Sequence, residues 1–442
     1  MIQALRNAMT LPDLRRKLLY TLLILVIYRL AAHVPVPGAD LEALQRALGG
    51  AGGALLSVLD MLSGGAVARF SVMANGVQSY ITAQIILQLL TPIIPMLERL
   101  AEEGEAGRRK INQWTYYLTI PLSWLQGFGW IRYLNAVSGD TPVLPSFGFS
   151  PPENILPTFS VLMAMTAGTM FAIWLAELAT EQGIGNGISL IIFSGIVSRV
   201  PQNVARIWAQ GRASGGMGTG VLMLAVFLAI TAITMFVIVV VQEGERRIPV
   251  QYGKRVRGIK MYGGGSTHIP LRINTAGMIP LIFAQSILTF PAVIGQFFVG
   301  SENVAVSQFA QGLMNFFSGQ GMGYGLLYFL TVVGFTYFYT DVMVQQQDLP
   351  GTLRRQGGFI PGIRPGKKTA DYINSVYRRI TLVGALFLGG VAVLPFVVDL
   401  FLQTQVLLIT SSGILIVVGT VLDTMRQLEA QLLMRHYEGF IK

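Results

Sequence analysis

The sequence predicts an all-α polytopic membrane protein with ten transmembrane helices, and three observations lead to that fold class. Hydrophobic residues make up 52% of the 442 residues and charged residues only 12%, about half the charged fraction of a soluble domain. Long apolar runs recur along the chain, each near the roughly 20 residues that a helix needs to cross a bilayer. The segments between those runs are alternately rich and poor in lysine and arginine.

Ten segments are long and apolar enough to be predicted as membrane spans. The residues before the first segment lack the apolar run and cleavage site of a secretory signal, so they indicate a basic amphipathic lead-in. In chain order, the spans cover about residues 18–34, 72–92, 114–134, 157–177, 188–208, 219–242, 275–293, 322–343, 379–398 and 406–423.

The distribution of lysine and arginine predicts the orientation of the spans. With the N-terminus inside, 25 of the 32 basic residues lie in the inner segments or at the start of the ninth span, and five lie in the outer segments or in the outer half of the fifth span. Basic residues are retained on the cytoplasmic side of membrane proteins. We therefore expect both termini to be cytoplasmic.

Ten spans divide into two sets of five, and a five-span unit begins on one side of the membrane and ends on the other. The second set then runs upside down relative to the first, which permits an inverted repeat with a pathway between the halves. We divide the chain into an N-terminal half, residues 1–210 with spans 1 to 5, and a C-terminal half, residues 211–442 with spans 6 to 10.

Two inner loops, at about residues 243–274 and 344–378, are far longer than ordinary connections. In the first, IPVQY and GIKMY are short β-type segments around a turn at residues 253–255, which indicates a projecting hairpin. In the second, prolines and glycines give fixed bends. A plain positive-inside loop explains the charge but not the length, so we favour a docking surface.

Composition and spacing exclude most enzymatic and metal-binding chemistry, and the sequence predicts no cofactor. The chain has no cysteine, and His33, His268 and His436 stand in three separate segments. Residues 361–369, PGIRPGKKT, miss the spacing of a phosphate-binding loop. Residues 183–189, GIGNGIS, predict a tight turn that enters a span rather than a dinucleotide site.

Acidic residues are absent from the middle of every predicted span, and Arg199 in the fifth span is the one basic residue at a midpoint. Proton-coupled and ion-coupled transporters usually place acidic residues there, so this pattern argues against a secondary transporter for a small solute. That function, and a scaffold or insertase without a pore, are the alternatives to a channel.

Polar residues occupy one side of the second span, within Ser71–Pro92. At about 100° per residue they fall within a third of a turn; they are Asn75, Gln78, Ser79 and Thr82. An adjoining apolar stripe consists of Val77, Ile81 and Ile85. Two interpretations stay open: hydrogen bonds between helices, worth about 0.6 kcal/mol each, or a helix that lines a water-filled funnel with an apolar waist.

A short apolar stretch, Gly52–Ala66, precedes this span and is too short to cross a bilayer. It is either a segment that folds back into a cavity or a helix on the outer surface, and the composition favours neither.

Five long motifs follow one another nearly from end to end of the chain. They are YRLAAHVPVPG, FSVMANGVQSYITAQIILQLLTPIIPMLERLAEEGEAGRRKINQWTYY, TEQGIGNGISLIIFSGIV, STHIPLRINTAGMIPLIFAQSIL and GGFIPGIRPGKKTADYIN. In this order they resemble the SecY family of bacterial protein-conducting channels. The resemblance implies ten helices in two inverted five-helix halves around a central pore, without catalytic activity. It also implies a lateral gate between spans 2 and 3 on one side and spans 7 and 8 on the other.

The resemblance assigns four groups of site residues. The pore ring falls on Val77, Ile81, Ile188, Ile192, Ile282 and Ile416. The plug is a short helix at about residues 55–63 with Leu55, Leu56, Val58, Leu59, Met61 and Leu62. The polar cluster of the lateral gate is Gln88, Thr115 and Asn274. The docking residues for the SecA motor or the ribosome are Lys254, Arg255, Arg257 and Arg364.

The resemblance further implies that unfolded secretory chains cross the bacterial plasma (inner) membrane through the protein, and that transmembrane segments leave it sideways into lipid. The implied partners are the membrane subunits SecE and SecG, the SecA ATPase, the ribosome, signal sequences and nascent chains, and membrane lipid. No direct nucleotide binding is expected.

Overall fold

The structure is a computed structural model of the chain. It describes residues 9–44, 66–67, 69–91, 93–138, 142–149, 152–252, 255–257, 260–262, 265–298, 303–317, 321–347, 349–402 and 411–438. The predicted plug, residues 55–63, therefore lies outside the described residues, as does Lys254.

The described chain is mostly helical. Helices in the first part are α1 (Pro12–Ala31), α2 (Gln78–Leu90), α3 (Pro95–Glu102), α4 (Glu105–Val137) and α5 (Ile155–Gln182). A helical run from Gly187 to Glu243 is broken at Gly215 and Gly216 into α6 (Gly187–Ala213) and α7 (Gly215–Glu243). The later helices are α8 (Ile279–Phe298), α9 (Val304–Phe316), α10 (Met322–Gln347), α11 (Leu349–Gln356), α12 (Lys367–Leu402) and α13 (Ser411–Glu438).

A helix lies at each of the ten predicted spans, but fewer helices satisfy the length and hydropathy of a span. Among the described residues five do so, and a sixth is possible if α2 and α3, bent by 103°, form one span. The five are Ile155–Gln182, Gly187–Ala213, Gly215–Glu243, Met322–Gln356 and Lys367–Leu394. Helices inside a bundle carry polar residues that lower their hydropathy. The count of ten spans stays a prediction.

Among the described residues, five short strands correct the expectation of a purely helical chain. Strands β1 (Glu245–Tyr252), β4 (Ser266–Arg272) and β5 (Gly358–Phe359) form one sheet in the order β4-β1-β5, and β2 (Arg255–Arg257) pairs with β3 (Lys260–Tyr262). The prediction of antiparallel strands in this loop is confirmed, but the predicted pairing was wrong, because IPVQY pairs with β4 and not with GIKMY. The seven-residue partner, STHIPLR, offers β1 a longer ladder than the three-residue β3 does.

The chain divides into two compact units. Unit 1 comprises Met1–Leu224, Gln285–Tyr324 and Gly419–Lys442, and unit 2 comprises Ala225–Ala284 and Gly325–Val418. This division by compactness differs from the predicted halves along the chain, which stay a prediction.

Unit 2 joins the two long inner loops into one small domain. Strand β5 of the second loop pairs with β1 of the first, with Gln251 opposite Phe359. Behind the sheet an apolar core is formed by Ile248, Val250, Leu271, Leu353, Ile360, Ile373 and Tyr377. We call this domain the loop platform. Its backbone is held by strand pairing and a core, so it is not a pair of unstructured connections.

The predicted tight turn at residues 183–187 is confirmed, and it joins four helices of unit 1. Ile184 N donates to Thr21 Oγ1 of α1 at 3.1 Å, and Gly185 N donates to Gln427 Oε1 of α13 at 2.9 Å. Gly187 N, where α6 begins, donates to Thr180 Oγ1 of α5 at 2.8 Å. We call this turn the hub. It fixes the start of α6 relative to α1, α5 and α13.

We expect Gly185→Ala to destabilise unit 1 by about 1–3 kcal/mol, because Gly185 has φ +97° and an added Cβ would lie 2.8 Å from Thr424 Oγ1. The thermal unfolding midpoint of the purified protein measures this loss. The control is Gly334→Ala within α10, where an added Cβ has no neighbour within 4 Å among the described residues. An equal midpoint for the two variants would contradict a strained hub.

Candidate functional site

Helix α2 begins later than its hydropathy predicts. The second span was expected from residue 72, but residues 71–77 form turns and the helix starts at Gln78. Gly76 has φ +49°, a conformation that glycine adopts without steric cost. The Asn75-Gly76 dipeptide is a typical turn signal. The turn therefore overrides the apolar pattern, and Asn75 and Val77 lie just before the helix.

The polar face of this segment is hydrogen-bonded to α4. Asn75 Nδ2 donates to the carbonyl oxygen of Ser123 at 3.0 Å and to its Oγ at 3.2 Å. Ser79 Oγ donates to Gln126 Oε1 at 2.7 Å, and Gln126 Nε2 donates to Thr82 Oγ1 at 3.4 Å. Asn75 and Ser79 are buried. For these three side chains, interhelical hydrogen bonding is the confirmed interpretation.

The same polar layer continues into α5. Ser123 Oγ donates to Thr169 Oγ1 at 3.2 Å, and both side chains are buried. Gly168 packs so closely that an added Cβ would lie 2.1 Å from the carbonyl oxygen of Val72. A small residue there lets α5 approach the turn before α2, as glycines do at helix contacts in membranes.

The predicted pore-ring residues lie in pairs along the chain. Val77 and Ile81 are one helical turn apart, since Ile81 N donates to the Val77 carbonyl at 3.0 Å, and both are buried. Ile188 and Ile192 occupy the first turns of α6, directly after the hub; Ile192 is buried and Ile188 half-buried. These four belong to unit 1. The remaining two, Ile282 and Ile416, are buried residues of unit 2.

One contact between α2 and α8 was missed by the sequence analysis. Gln78 Nε2 donates to Ser286 Oγ at 2.9 Å. Gln78 Oε1 is buried and finds no hydrogen-bond partner among the described residues. The signal in the sequence was the polar group Gln285, Ser286 and Thr289 inside an otherwise apolar helix, since such residues usually face other helices.

The three predicted gate residues belong to different elements: Gln88 to α2, Thr115 to α4, and Asn274 to the segment before α8. Thr115 is buried, and its Oγ1 donates to the Ile111 carbonyl of its own helix at 3.0 Å. Asn274 is buried in unit 2, and its Nδ2 donates to the Gly277 carbonyl at 3.0 Å. Gln88 lies on α2. In the described part of the chain, Gln88 Oε1 and Asn274 Oδ1 are buried without a hydrogen-bond partner.

Three of the four predicted docking residues are described, and they lie in the two loops that form the loop platform. Arg255 and Arg257 occupy strand β2, opposite Tyr262 and Lys260 on β3. Arg364 is exposed between two tight turns, at Gly362 with φ +81° and Gly366 with φ +110°. Thr369 Oγ1 donates to the Arg364 carbonyl at 2.9 Å. These constraints present the Arg364 side chain on a fixed backbone.

These features define the class of protein. The apolar helices, the polar contacts between them and the loop platform are those of a multi-pass helical membrane protein with a folded domain attached to its helices. The family model described as SecY matches residues 71–425. The chain belongs to the SecY family.

Relatives of the same family match along the whole chain. A protein translocase subunit SecY from Streptomyces galbus is 41% identical, with 100% of both chains covered. Those from Thermotoga maritima and Thermus thermophilus are 41% and 42% identical, with 100% of this chain and 98% of each relative covered.

Solved structures share the fold. A structure titled as that of a protein conducting channel superposes with a TM-score of 0.62, at 17% identity, over 94% of this chain and 92% of that one. Sec61 in the canine ribosome-channel complex gives the same TM-score at 19% identity and the same coverage.

We expect Gln78→Ala and Ser286→Ala to show a coupling of about 0.6 kcal/mol in unfolding free energy, the typical value for one hydrogen bond between membrane helices. A double-mutant cycle in mixed micelles measures it. The control cycle pairs Gln78→Ala with Thr331→Ala, because Thr331 Oγ1 donates to the Leu327 carbonyl of its own helix. Equal couplings in both cycles would contradict a direct bond between α2 and α8.

Proposed function

We propose that this protein is a protein-conducting channel, which translocates unfolded secretory proteins across the bacterial plasma membrane and releases transmembrane segments sideways into lipid. The full-length match to protein translocase subunits supports this function. The observation that carries it is the start of α2, where the buried apolar pair Val77 and Ile81 adjoins a polar face that is hydrogen-bonded to α4. Transport of this kind needs no catalytic residue.

The proposed pore is an apolar waist within ten helices, arranged as two inverted halves at residues 1–210 and 211–442. Its ring comprises Val77, Ile81, Ile188, Ile192, Ile282 and Ile416. A narrow apolar constriction rejects ions by dewetting, and it accepts chains of any sequence because it offers no specific hydrogen bond. The burial of five of the six side chains supports a role inside the protein rather than against lipid.

The proposed lateral gate lies between α2 and α4 on one side and α8 and α10 on the other, with Gln88, Thr115 and Asn274 as its polar cluster. The bond from Gln78 to Ser286 supports contact between α2 and α8. The unpartnered oxygens of Gln88 and Asn274 support a gate that is only weakly held, because a buried acceptor without a donor raises the energy of the closed state.

The loop platform is the proposed docking surface for the SecA motor and the ribosome, through Lys254, Arg255, Arg257 and Arg364. The exposed Arg364 on its rigid turn supports this role. One similar structure is described as part of a ribosome-channel complex. SecE and SecG are the proposed membrane partners, and the segment at about residues 55–63 is the proposed plug. Both termini are proposed to be cytoplasmic.

We expect Ile81→Gly and Ile192→Gly to raise ion leak through the reconstituted protein several-fold, because each removes a branched side chain from the dewetted waist. Conductance across planar bilayers measures the leak. Leu228→Gly is the control, since Leu228 is 54% exposed on α7 and predicted to face lipid. Unchanged conductance in both ring variants would contradict the waist.

The absence of cysteine permits a direct test of the translocation path. We expect Ile81→Cys to form a disulfide with a single cysteine in the mature part of a stalled secretory precursor, only when SecA and ATP are present. Non-reducing electrophoresis detects the adduct. Phe236→Cys is the control, because Phe236 is 70% exposed on α7. An adduct at residue 236 but not at residue 81 would place the path elsewhere.

A further inference from the structure

A polar cleft in unit 2 belongs to neither the proposed pore nor the docking residues. It has a volume of about 260 Å³ and lies between the C-terminal end of α10 and the N-terminal part of α12. Its lining residues are Tyr337, Thr340, Asp341, Val344, Asn374, Tyr377, Arg378 and Thr381.

The spacing of the lining residues shows that one face of each helix lines the cleft. On α10 the positions are i, i+3, i+4 and i+7 from Tyr337, and on α12 they follow the same spacing from Asn374. Every lining side chain except Val344 carries a hydrogen-bonding group. Two helices usually pack through apolar stripes. Polar stripes on both helices therefore indicate a binding site for a polar ligand.

The depth and the rim of the cleft differ in chemistry. Thr340, Tyr377 and Thr381 are only 4%, 6% and 5% exposed, so hydroxyl-bearing residues form its interior. Asp341 and Arg378 are exposed and place one negative and one positive charge at the same opening. A ligand that carries an anion and a cation a few atoms apart complements this arrangement.

The size and the location of the cleft limit the classes of ligand that it can bind. The volume of about 260 Å³ is below the range of roughly 300–1,000 Å³ typical of pockets for drug-sized molecules, so the cleft suits a small polar group. The cleft lies where α10 ends and α12 begins, beside the loop platform that the charge distribution predicts to be cytoplasmic. Basic side chains between membrane helices on the cytoplasmic side bind the phosphate of lipid headgroups, and Arg378 supplies such a side chain here.

We propose that the cleft binds the headgroup of phosphatidylethanolamine. The Arg378 guanidinium pairs with the phosphate, which it binds with a planar pair of donors. The Asp341 carboxylate accepts hydrogen bonds from the ammonium group, and the hydroxyls of Thr340, Tyr377 and Thr381 line the space between them. The acyl chains leave the opening toward the membrane. This proposal does not depend on the pore.

Native mass spectrometry of the full-length protein in detergent tests the proposal with phosphatidylethanolamine and phosphatidylglycerol. We expect Arg378→Gln to weaken both lipids about tenfold, the effect of one charge-assisted hydrogen bond. Asp341→Asn weakens phosphatidylethanolamine about tenfold and leaves phosphatidylglycerol within twofold, because only the former carries an ammonium group. Arg378→Lys keeps the charge but loses the planar pair of donors, so it should weaken both lipids less than Arg378→Gln does, which distinguishes lost binding from lost folding.

Matched controls lie on the same helix. Arg379→Gln and Asp371→Asn remove exposed charges of α12 that do not line the cleft, and both should bind the lipids as the parent protein does. Soluble phosphoethanolamine distinguishes the source of the headgroup: binding as tight as that of the lipid would assign the cleft to a soluble phosphate and overturn the lipid assignment. Lipid binding unaltered by Arg378→Gln, or weakened equally by Arg379→Gln, would also overturn the proposal.

Discussion

The structure depends on one constraint, which is that a polar group inside a membrane protein must find its hydrogen-bond partner within the protein. Asn75 Nδ2, Ser79 Oγ and Thr82 Oγ1 meet it through Ser123 and Gln126 of α4. Asn75 Oδ1 and Gln78 Oε1 are exceptions, since they are buried and find no partner among the described residues. The hydrogen bonds to α4 hold Val77 and Ile81 in place, because side chains on neighbouring faces of one backbone segment move together. The apolar ridge is thus positioned by the polar one.

The same constraint acts at the hub through backbone groups. A turn between two membrane helices exposes amide groups that neither helix satisfies, and here side chains from α1, α5 and α13 accept them. Leu14, Ile184 and Leu428 form an apolar cluster around the turn. Because α6 begins inside this arrangement, Ile188 and Ile192 are set by contacts with three other helices, and their positions do not rely on the helix alone.

The positions of the helices could be predicted from hydropathy, because an apolar run is recognised from neighbouring residues alone. A helix is found at each predicted segment. The prediction from the sequence was wrong where turn formation or strand pairing determined the local structure. At Asn75-Gly76 turn chemistry displaced the start of α2, and at β1 the partner was a strand that the sequence analysis had not identified. Pairings between distant helices, such as Gln78 with Ser286, lie 208 residues apart, so no local periodicity contains them. Burial of the candidate ring was expected from the family resemblance, whereas its assembly into a ring stays a prediction.

The distribution of partners around α2 has a consequence for the proposed gate. Asn75, Ser79 and Thr82 bond to α4, whereas Gln78 bonds to α8. The side-chain oxygens of Asn75 and Gln78 are both unpartnered among the described residues, so they do not distinguish the two sides. At about 0.6 kcal/mol per contact, several hydrogen bonds hold the α4 side, and one, from Gln78, holds the α8 side in the part of the chain that the structure describes. When a transmembrane segment parts the proposed gate, α2 should therefore remain with α4 and separate from α8. The hydrogen bonds to α4 that hold Val77 and Ile81 in place then remain intact. One side of the proposed waist therefore stays fixed while the other moves.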